Sequence, residues 1–301
     1  MVEEAMFMRV FVTGATGFIG KELVRELINA GHRVRGLTRS EAGAEQLTGA
    51  GAEIHRGDME DLDSLRSGAI SMDAVINLAF DQDLSKLAEN AQKEISAIEA
   101  MGAVLEPGKL LLVTSGVAIV SGKPGQVRME TDPAIDSPVI PRKPEQAARA
   151  VAKRGVHVGV LRMSQIHDIY KQGLVIYLIQ IAREKGVSAY VGDGAFRWAA
   201  APLKDVAWLY RLALEQTGPG VTTFHAVQEE GVSLREIAEA IGKGLNVPVV
   251  SIPPERAEEH FGMFSHFVTL DMPVSSEWTR KTLKWDPSGP GMIGDLTNMK
   301  F

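Results

Sequence analysis

Three glycines near the start of the chain have the spacing of a backbone that binds phosphate. In the stretch MRVFVTGATGFIG, an apolar run, Val10–Thr13, leads directly into Gly14, Gly17 and Gly20. Glycine permits a tight turn and lets the backbone approach a pyrophosphate, and a following helix adds N–H groups and a positive dipole end. The pattern predicts a dinucleotide site; the alternative is a glycine-rich turn without a ligand.

The elements that must position these glycines lie on both sides of them. Val10–Thr13 has the composition of a buried strand, and Ile19, Leu23 and Leu27 follow with helical spacing. We expect this helix to cover Phe18–Asn29, and the cofactor to contact both the turn and the first helical residues. The predicted contacts are Gly14, Thr16, Gly17, Phe18 and Ile19.

The end of the second predicted strand indicates which dinucleotide binds. The segment His32–Thr38 is followed by Arg39 and Ser40, and the first acidic residue comes only at Glu41. An acid at the strand end would bind the ribose hydroxyls of NAD, whereas an arginine suits the 2′-phosphate of NADP. We therefore predict NADP(H) as the cofactor, bound through Arg39 and Ser40; the alternative is an ordinary solvated arginine.

Composition excludes several classes of protein. The chain has 301 residues, 45% of them hydrophobic, and its 32 basic and 38 acidic residues give a net charge of −6. A large core is expected, and neither nucleic acid nor a membrane is expected as a partner. Cysteine is absent and the histidines are dispersed, so no metal site is predicted. We expect a cytoplasmic monomer or homodimer that acts on a small molecule.

Short apolar runs alternate with helical patterns along most of the chain. This alternation predicts the α/β class, with a Rossmann-like, doubly wound parallel sheet. We assign two domains: an NADP-binding domain of residues 1–165, to which 200–228 return, and a small C-terminal substrate lobe of residues 166–199 and 229–301. In that lobe Ser233 and Glu236 predict a capping box, and Val249–Phe301 is expected to be irregular.

The glycine spacing TGATGFIG resembles that of the extended and atypical short-chain dehydrogenase/reductases, particularly the NAD(P)-dependent epimerase and dehydratase group. The resemblance covers nearly the whole chain. It implies that Asp58, with Met59, contacts the adenine, although Asp58 has helix capping as an alternative role. It also implies that Leu78 and Ala79 lie along the cofactor ribose. The remaining implied cofactor contacts are Thr114, Ser115, Met163 and Ile166.

The catalytic half of the family pattern is incomplete. The superfamily reduces carbonyls with a serine or threonine after the fifth strand and a Tyr-x-x-x-Lys pair, whose tyrosine donates the proton. Ser115 can take the serine's role, although another register places Gly116 or Val117 there. If Lys143 is the lysine that binds the nicotinamide ribose, Val139 stands at the tyrosine position, and shifted registers provide no tyrosine either.

Three hypotheses remain for the missing proton donor. In the first, a replacement side chain donates: Tyr170, just past the sixth strand, is the first candidate, and Asp83, after the fourth strand, is the second. In the other two, water donates the proton, or the chain binds dinucleotide without turnover. Packing and helix capping are the ordinary alternatives for such side chains. Further candidates are Asp81, His167 and Tyr177. Separately, the resemblance implies that Asn90 stands about where the family has its active-site asparagine, with an exposed helical asparagine as the alternative.

These patterns together predict an NADPH-dependent reductase of a small, largely apolar carbonyl, imine or enone compound, with a non-standard proton donor. The alternatives are an NADP-dependent epimerase, dehydratase or isomerase, and a non-catalytic NADP-sensing regulatory protein of the NmrA-like kind. A substrate-dependent loss of NADPH absorbance distinguishes the reductase from both.

Overall fold

A computed structural model of the chain describes residues 7–81, 83–120, 125–136 and 140–301. They form two compact units, each made of several segments of the chain. The first unit holds the described residues of 1–115, 136–162 and 207–224. The second unit holds those of 116–135, 163–206 and 225–301. The assignment of cofactor and substrate to particular domain boundaries stays a prediction.

Most strands of the described residues belong to one large sheet. The strands are β1 Arg9–Thr13, β2 Arg33–Thr38, β3 Glu53–Arg56, β4 Ala74–Asn77, β5 Leu110–Gly116, β6 His157–Met163, β7 Gln165–His167, β8 Ser188–Val191, β9 Arg197–Pro202, β10 Val221–Ala226, β11 Glu229–Ser233 and β12 Val249–Ile252. The large sheet has the order β10-β6-β5-β4-β1-β2-β3. The pairs β1–β2, β1–β4, β2–β3 and β4–β5 are parallel. The strand order reverses at β1 and β4, whose carboxyl ends are therefore the expected ligand crevice.

Helices follow most of the strands, as a doubly wound fold requires. They are α1 Phe18–Asn29, α2 Glu41–Gly49, α3 Leu62–Ala69, α4 Leu87–Val104, α5 Pro144–Ala152, α6 Val175–Lys185, α7 Leu203–Gln216, α8 Leu234–Leu245, α9 Ala257–Phe261, α10 Ser265–Val268, α11 Glu277–Leu283 and α12 Met292–Asn298. Helix α1 has the predicted bounds, and its apolar face buries Leu23, Val24 and Leu27.

Side chains of the sheet, α3, α4 and α5 form the core of the first unit. Phe11, Val75 and Leu111 of the central strands are fully buried in one cluster with Ile98 of α4 and Val151 of α5. Burying one such side chain contributes about 1.5–3 kcal/mol to stability. The central strands are therefore firmly held, and so are the carboxyl ends that carry the predicted site.

The second unit contains two smaller sheets. In one, β9 pairs antiparallel with β11 and parallel with β7. In the other, β12 pairs parallel with β8. The predicted capping box is confirmed, because Ser233 Oγ accepts the Glu236 N–H while the Glu236 carboxylate accepts the Ser233 N–H.

The doubly wound fold is confirmed, but the expectation of an irregular segment from Val249 to Phe301 is wrong. That segment contains β12 and the four helices α9–α12, which are four to seven residues long. These short helices bury two or three residues each. They therefore lack the repeated apolar spacing by which a longer helix is recognised.

Candidate dinucleotide site and active site

The first glycine of the turn lets the backbone after β1 approach the backbone after β4. Gly14 has a φ angle of +66°, and a Cβ placed on it would lie 2.9 Å from the Ala79 nitrogen and 3.0 Å from the Leu78 carbonyl carbon. Both the dihedral angle and the space therefore require glycine. The structure thus brings together Gly14, Leu78 and Ala79, three predicted cofactor contacts.

The other two glycines differ in their surroundings. At Gly20 a Cβ would lie 2.0 Å from the Gly14 oxygen, because α1 packs closely on the turn. Gly17 is exposed and is the N-cap of α1; among the described residues, a Cβ there would meet only the Gly14 oxygen, at 3.1 Å. The accessible backbone at the positive end of a helix fits the pyrophosphate of a dinucleotide. The half-buried predicted contacts beside it are Thr16, Phe18 and Ile19.

Two buried polar side chains join the carboxyl ends of β1 and β4. Thr13 Oγ1 donates to Asn77 Oδ1 at 2.7 Å and accepts the Ala79 N–H at 3.3 Å. Both side chains are almost fully buried, so these hydrogen bonds are protected from competing water. They hold the segment after β4 against the glycine turn.

The end of β2 carries the predicted NADP determinant on an exposed surface. Arg39 Nη1 lies 3.3 Å from Asp58 Oδ2, and Asp58 Oδ1 accepts the Glu60 N–H at 3.0 Å. Ser40 Oγ accepts the Gly43 N–H at 3.1 Å and so caps α2. Arg39 and Asp58, predicted to contact different parts of the cofactor, therefore lie side by side.

The alternative role of Asp58 as a helix cap is not what the structure shows. Asp61 is the N-cap of α3, and its Oδ1 accepts the Ser64 N–H at 3.0 Å. Asp58 instead stands before α3, where its carboxylate pairs with Arg39. Met59, the second predicted adenine contact, packs partly buried against the core.

Ser115 at the end of β5 is buried in a charged cluster. Its hydroxyl donates to Glu145 Oε1 at 3.3 Å, and Arg162 Nε and Nη2 donate to Glu145 Oε1 and Oε2 at 2.7 and 3.0 Å. The structure therefore gives this hydroxyl a protein partner rather than an open position. The surroundings of the next residue, Gly116, are more open. Among the described atoms, a Cβ placed on Gly116 would meet only the Met163 oxygen, at 4.0 Å.

Thr114 is linked to a tyrosine that the sequence does not indicate. Its hydroxyl donates to the Asn77 carbonyl oxygen at 2.7 Å and lies 2.6 Å from the Tyr210 hydroxyl. Tyr210 is on α7 and is completely buried. Burial raises the pKa of its phenol, against the opposing effects of the Thr114 hydrogen bond and the Arg142 charge.

Arg142, beside the predicted Lys143, is a second residue that the sequence does not indicate. Its guanidinium binds the buried Glu94 carboxylate through two nitrogens, with Nε to Oε2 at 3.0 Å. It also lies 3.9 Å from the Phe80 ring centroid and 3.4 Å from the Thr114 carbonyl oxygen. Burial raises the pKa of Glu94, although the Arg142 charge opposes this effect. The positive charge of Arg142 is thus held in place directly beside Lys143, the residue predicted to bind the nicotinamide ribose.

Lys143 itself is half exposed at the N-cap of α5, and its Nζ pairs with Asp136 Oδ1 at 3.0 Å. Val139, at the predicted tyrosine position, lies outside the described residues, as does Ser137 of the shifted register. The roles of these residues stay predictions.

The two candidate proton donors lie on exposed segments. Tyr170 is 81% exposed, on a turn where Asp168 Oδ1 accepts the N–H groups of Tyr170 and Lys171. Asp83 is also exposed, and hydrogen bonds from the Ser85 hydroxyl and N–H lower the pKa of its carboxyl. A carboxyl that donates a proton needs a raised pKa, so the lowered pKa of Asp83 does not support it as the donor.

Other predicted residues have structural partners. Asn90 is buried, and its Nδ2 donates to the Asp81 carbonyl oxygen at 3.1 Å. His167 is fully buried, with Nδ1 2.7 Å from Asp295 Oδ2. Met163 ends β6, and Ile166 is buried in β7.

Across the described ranges, no group of three or more His, Asp or Glu residues could hold a metal ion. Nor does any helix in this part of the chain combine the length and apolar character needed to cross a membrane.

Comparison with known proteins identifies the family. The model of the NAD dependent epimerase/dehydratase family matches residues 10–222, which include the glycine turn and the end of β5. The chain belongs to this family. It is 42% identical over 293 residues to an uncharacterised protein of Schizosaccharomyces pombe, covering 97% of this chain and 99% of that protein. An uncharacterised protein of Saccharomyces cerevisiae is 40% identical over 294 residues, covering 96% and 98% respectively.

More distant similarities include proteins with named activities or ligands. A 4-hydroxy-2-methyl-3-oxo-4-farnesyl-3,4-dihydroquinoline-1-oxide ketoreductase of Stigmatella aurantiaca is 25% identical, covering 85% of this chain and 80% of that enzyme. The human epimerase family protein SDR39U1 with NADPH has a TM-score of 0.75 at 20% identity, covering 97% and 99%. UDP-glucose 4-epimerase of Thermus thermophilus with NAD has a TM-score of 0.74 at 20% identity, covering 97% and 98%. These structures confirm the fold of the extended short-chain dehydrogenase/reductases.

Replacing Gly17 by valine should abolish dinucleotide binding while the chain stays folded. The valine branches would occupy the space beside the exposed backbone, whereas the single contact at 3.1 Å requires only a small shift of the Gly14 oxygen. Gly49→Val is the matched control, because Gly49 is exposed at the end of α2. Fluorescence titration with NADPH measures binding, and circular dichroism measures folding. Undiminished binding by Gly17→Val would show that the motif is only a turn.

Removing the Arg162 side chain should cost much stability, because Glu145 is left as a buried, unpaired charge. Breaking a buried pair typically costs about 3–5 kcal/mol. Arg162→Met should therefore lower the free energy of unfolding in urea by roughly that amount. Arg235→Met, which removes one partner of an exposed pair, should change it little. Equal effects of the two variants would contradict the structural importance of the buried pair.

Proposed function

We propose that this protein is an NADPH-dependent reductase of a small, largely apolar carbonyl, imine or enone compound. The observation that carries the proposal is the combination of an accessible glycine turn with Arg39 directly after β2. The turn fits a pyrophosphate, and Arg39 offers a guanidinium where an NAD-binding protein of this fold commonly has an acid. When bound, NADPH supplies the hydride for reduction.

Known relatives support this proposal in part. The ketoreductase similar to this chain is named for the reduction of a carbonyl compound, and the SDR39U1 structure contains NADPH. The epimerase of Thermus thermophilus contains NAD instead, so the preference for NADP rests on the residues of this chain. We also propose that the protein acts in the cytoplasm, as a monomer or homodimer; its cysteine-free sequence fits a reducing compartment.

The proposed roles of individual residues follow from their positions. The residues proposed to bind the cofactor are Gly14, Thr16, Gly17, Phe18, Ile19, Arg39, Ser40, Asp58, Met59, Leu78, Ala79, Thr114, Ser115, Met163 and Ile166. Lys143 is proposed to hold the nicotinamide ribose. Because the Ser115 hydroxyl already binds Glu145, its contribution to holding a substrate oxygen requires that this hydrogen bond be exchanged.

The proton donor is proposed to lie outside a Tyr-x-x-x-Lys pair. Tyr170 is the first candidate, since its exposed phenol is accessible and needs no prior charge to donate a proton. Asp83 and water remain the other donors to be tested. A developing alkoxide would also be stabilised by any fixed positive charge nearby.

Two alternative functions have support of their own. The family includes epimerases and dehydratases, so the protein is alternatively an NADP-dependent epimerase, dehydratase or isomerase. The incomplete catalytic pattern also favours a non-catalytic NADP-sensing protein of the NmrA-like kind. Substrate-dependent loss of NADPH absorbance supports the reductase. Product formation without a net change in NADPH supports the isomerase group, and binding without turnover supports the sensor.

NADP⁺ should stabilise the protein more than NAD⁺ does at equal concentration. A ligand that binds only the folded state stabilises it more as the ratio of ligand concentration to Kd rises. The gain is about 2.7 kcal/mol when the ligand concentration is a hundred times Kd. Arg39→Asp should narrow or invert the difference in melting temperature. Arg25→Asp changes the same charge on the exposed side of α1 and should not. Equal stabilisation of the wild type by both cofactors would contradict the preference.

If Tyr170 donates the proton, Tyr170→Phe should lower the reduction rate by about 10²–10⁴, the typical contribution of a general acid. Tyr190→Phe removes a phenol from β8 and serves as the control. Steady-state rates with a substrate found by screening for NADPH consumption provide the measurement. A rate within a few-fold of wild type would eliminate Tyr170. Val139→Tyr is the complementary variant, and a gain in reduction would show that the family geometry persists there.

A further inference from the structure

A second arginine lies beside the end of β2. Arg56 is the last residue of β3, and it is paired in register with Thr38, the last residue of β2. Its Nη1 donates to the Ser40 carbonyl oxygen at 2.8 Å, and its Nη2 pairs with the Glu41 carboxylate. Arg56 therefore reaches the same corner as Arg39, although 17 positions separate them in sequence.

Both arginines at this corner are held by exposed carboxylates. Arg39 pairs with Asp58 and Arg56 pairs with Glu41, and all four side chains are more than a third exposed. Exposed ion pairs contribute little to stability, since water screens the charges and both side chains lose freedom. Either guanidinium can therefore exchange its carboxylate for a more highly charged anion with little loss.

We propose that Arg56 is a second ligand for the 2′-phosphate of NADP, and that Glu41 competes with this phosphate for Arg56. This inference rests on the proposed preference for NADP(H). A guanidinium offers several N–H donors in a plane, which suits a phosphate that binds through two oxygens. The Ser40 carbonyl oxygen holds one arm of Arg56, and the arm now on Glu41 is the one that exchanges.

Substitutions of Arg56 and of Glu41 should change the affinity for the 2′-phosphate in opposite directions. Loss of the Arg56 charge removes an attraction for the phosphate, whereas loss of the Glu41 charge removes both a competitor and a repulsion. If the pair only fastens α2 to β3, the two substitutions should act in the same direction. The sign of the Glu41 effect therefore separates phosphate binding from a purely structural role.

The test compares two probes that differ only in the 2′-phosphate. Isothermal titration calorimetry measures the binding of 2′,5′-ADP and of 5′-AMP to the full-length protein. Arg56→Met should lower the affinity for 2′,5′-ADP about tenfold. This is the low end of the contribution expected from a hydrogen bond to a charged group, because the site is exposed. Arg56→Lys should retain part of the affinity. Glu41→Gln should raise the affinity for 2′,5′-ADP several-fold. The affinity for 5′-AMP should stay the same in all of these variants.

Matched controls exist on the same two strands. Arg35 and Glu53 form another exposed pair between β2 and β3, three positions from the pair Thr38–Arg56 and away from the carboxyl ends. Arg35→Met and Glu53→Gln should change the affinity for neither probe. A similar loss of 2′,5′-ADP binding in Arg35→Met would show that the Arg56 effect comes only from the change in net charge. That result would overturn the assignment of Arg56 as a phosphate ligand.

The outcomes separate the inference from the function on which it rests. If the wild type binds both probes equally, the NADP preference fails and the inference fails with it. If the wild type prefers 2′,5′-ADP, and Arg39→Asp loses this preference while Arg56→Met keeps it, only the Arg56 assignment is overturned. Weaker 2′,5′-ADP binding in both Arg56→Met and Glu41→Gln would identify the pair as structural. A melting temperature measured for each variant shows that it is folded.

Discussion

The contact between the glycine turn and the segment after β4 is the constraint on which the site depends. Gly14 lies so close to the Leu78 and Ala79 backbone that no Cβ fits between them. Thr13 and Asn77 fasten the same place with a buried hydrogen bond. Because β1 and β4 are central neighbours in the sheet, this contact fixes the crevice at their carboxyl ends. The turn leads directly into the N-terminus of α1, and β2 pairs with β1 just before the turn.

The end of β5 contrasts with this crevice, because its polar groups already have partners. Ser115 belongs to the buried cluster of Glu145 and Arg162, and Thr114 is hydrogen-bonded to a fully buried tyrosine. Buried charges of this kind need their partners, since an unpaired charge in the interior is very costly. Hydroxyls that stabilise such clusters are less readily used by a substrate. The proposed catalytic use of Ser115 therefore competes with its hydrogen bond to Glu145, which stabilises this segment.

Local patterns could be predicted from the sequence, and distant pairs could not. The glycine turn, α1 and the Ser233 capping box each depend on residues within a few positions of one another, so spacing alone reveals them. Arg142 and Glu94 are 48 positions apart, and Thr114 and Tyr210 are 96 apart. No periodicity links such residues. The partners of Ser115 were likewise not foreseeable, because they lie on a helix and a strand that come later in the chain.

The residues proposed for cofactor specificity and those proposed for catalysis thus lie on different parts of the sheet. The β2–β3 side carries exposed arginines whose carboxylate partners are easily exchanged, so the proposed cofactor specificity should respond to single surface substitutions. The β5 side is tied to buried charges, so substitutions there also change stability. In this chain the contact of Gly14 with Leu78 and Ala79 is present although the sequence has no Tyr-x-x-x-Lys pair directly before α5, because that contact uses none of the residues in the segment directly before α5.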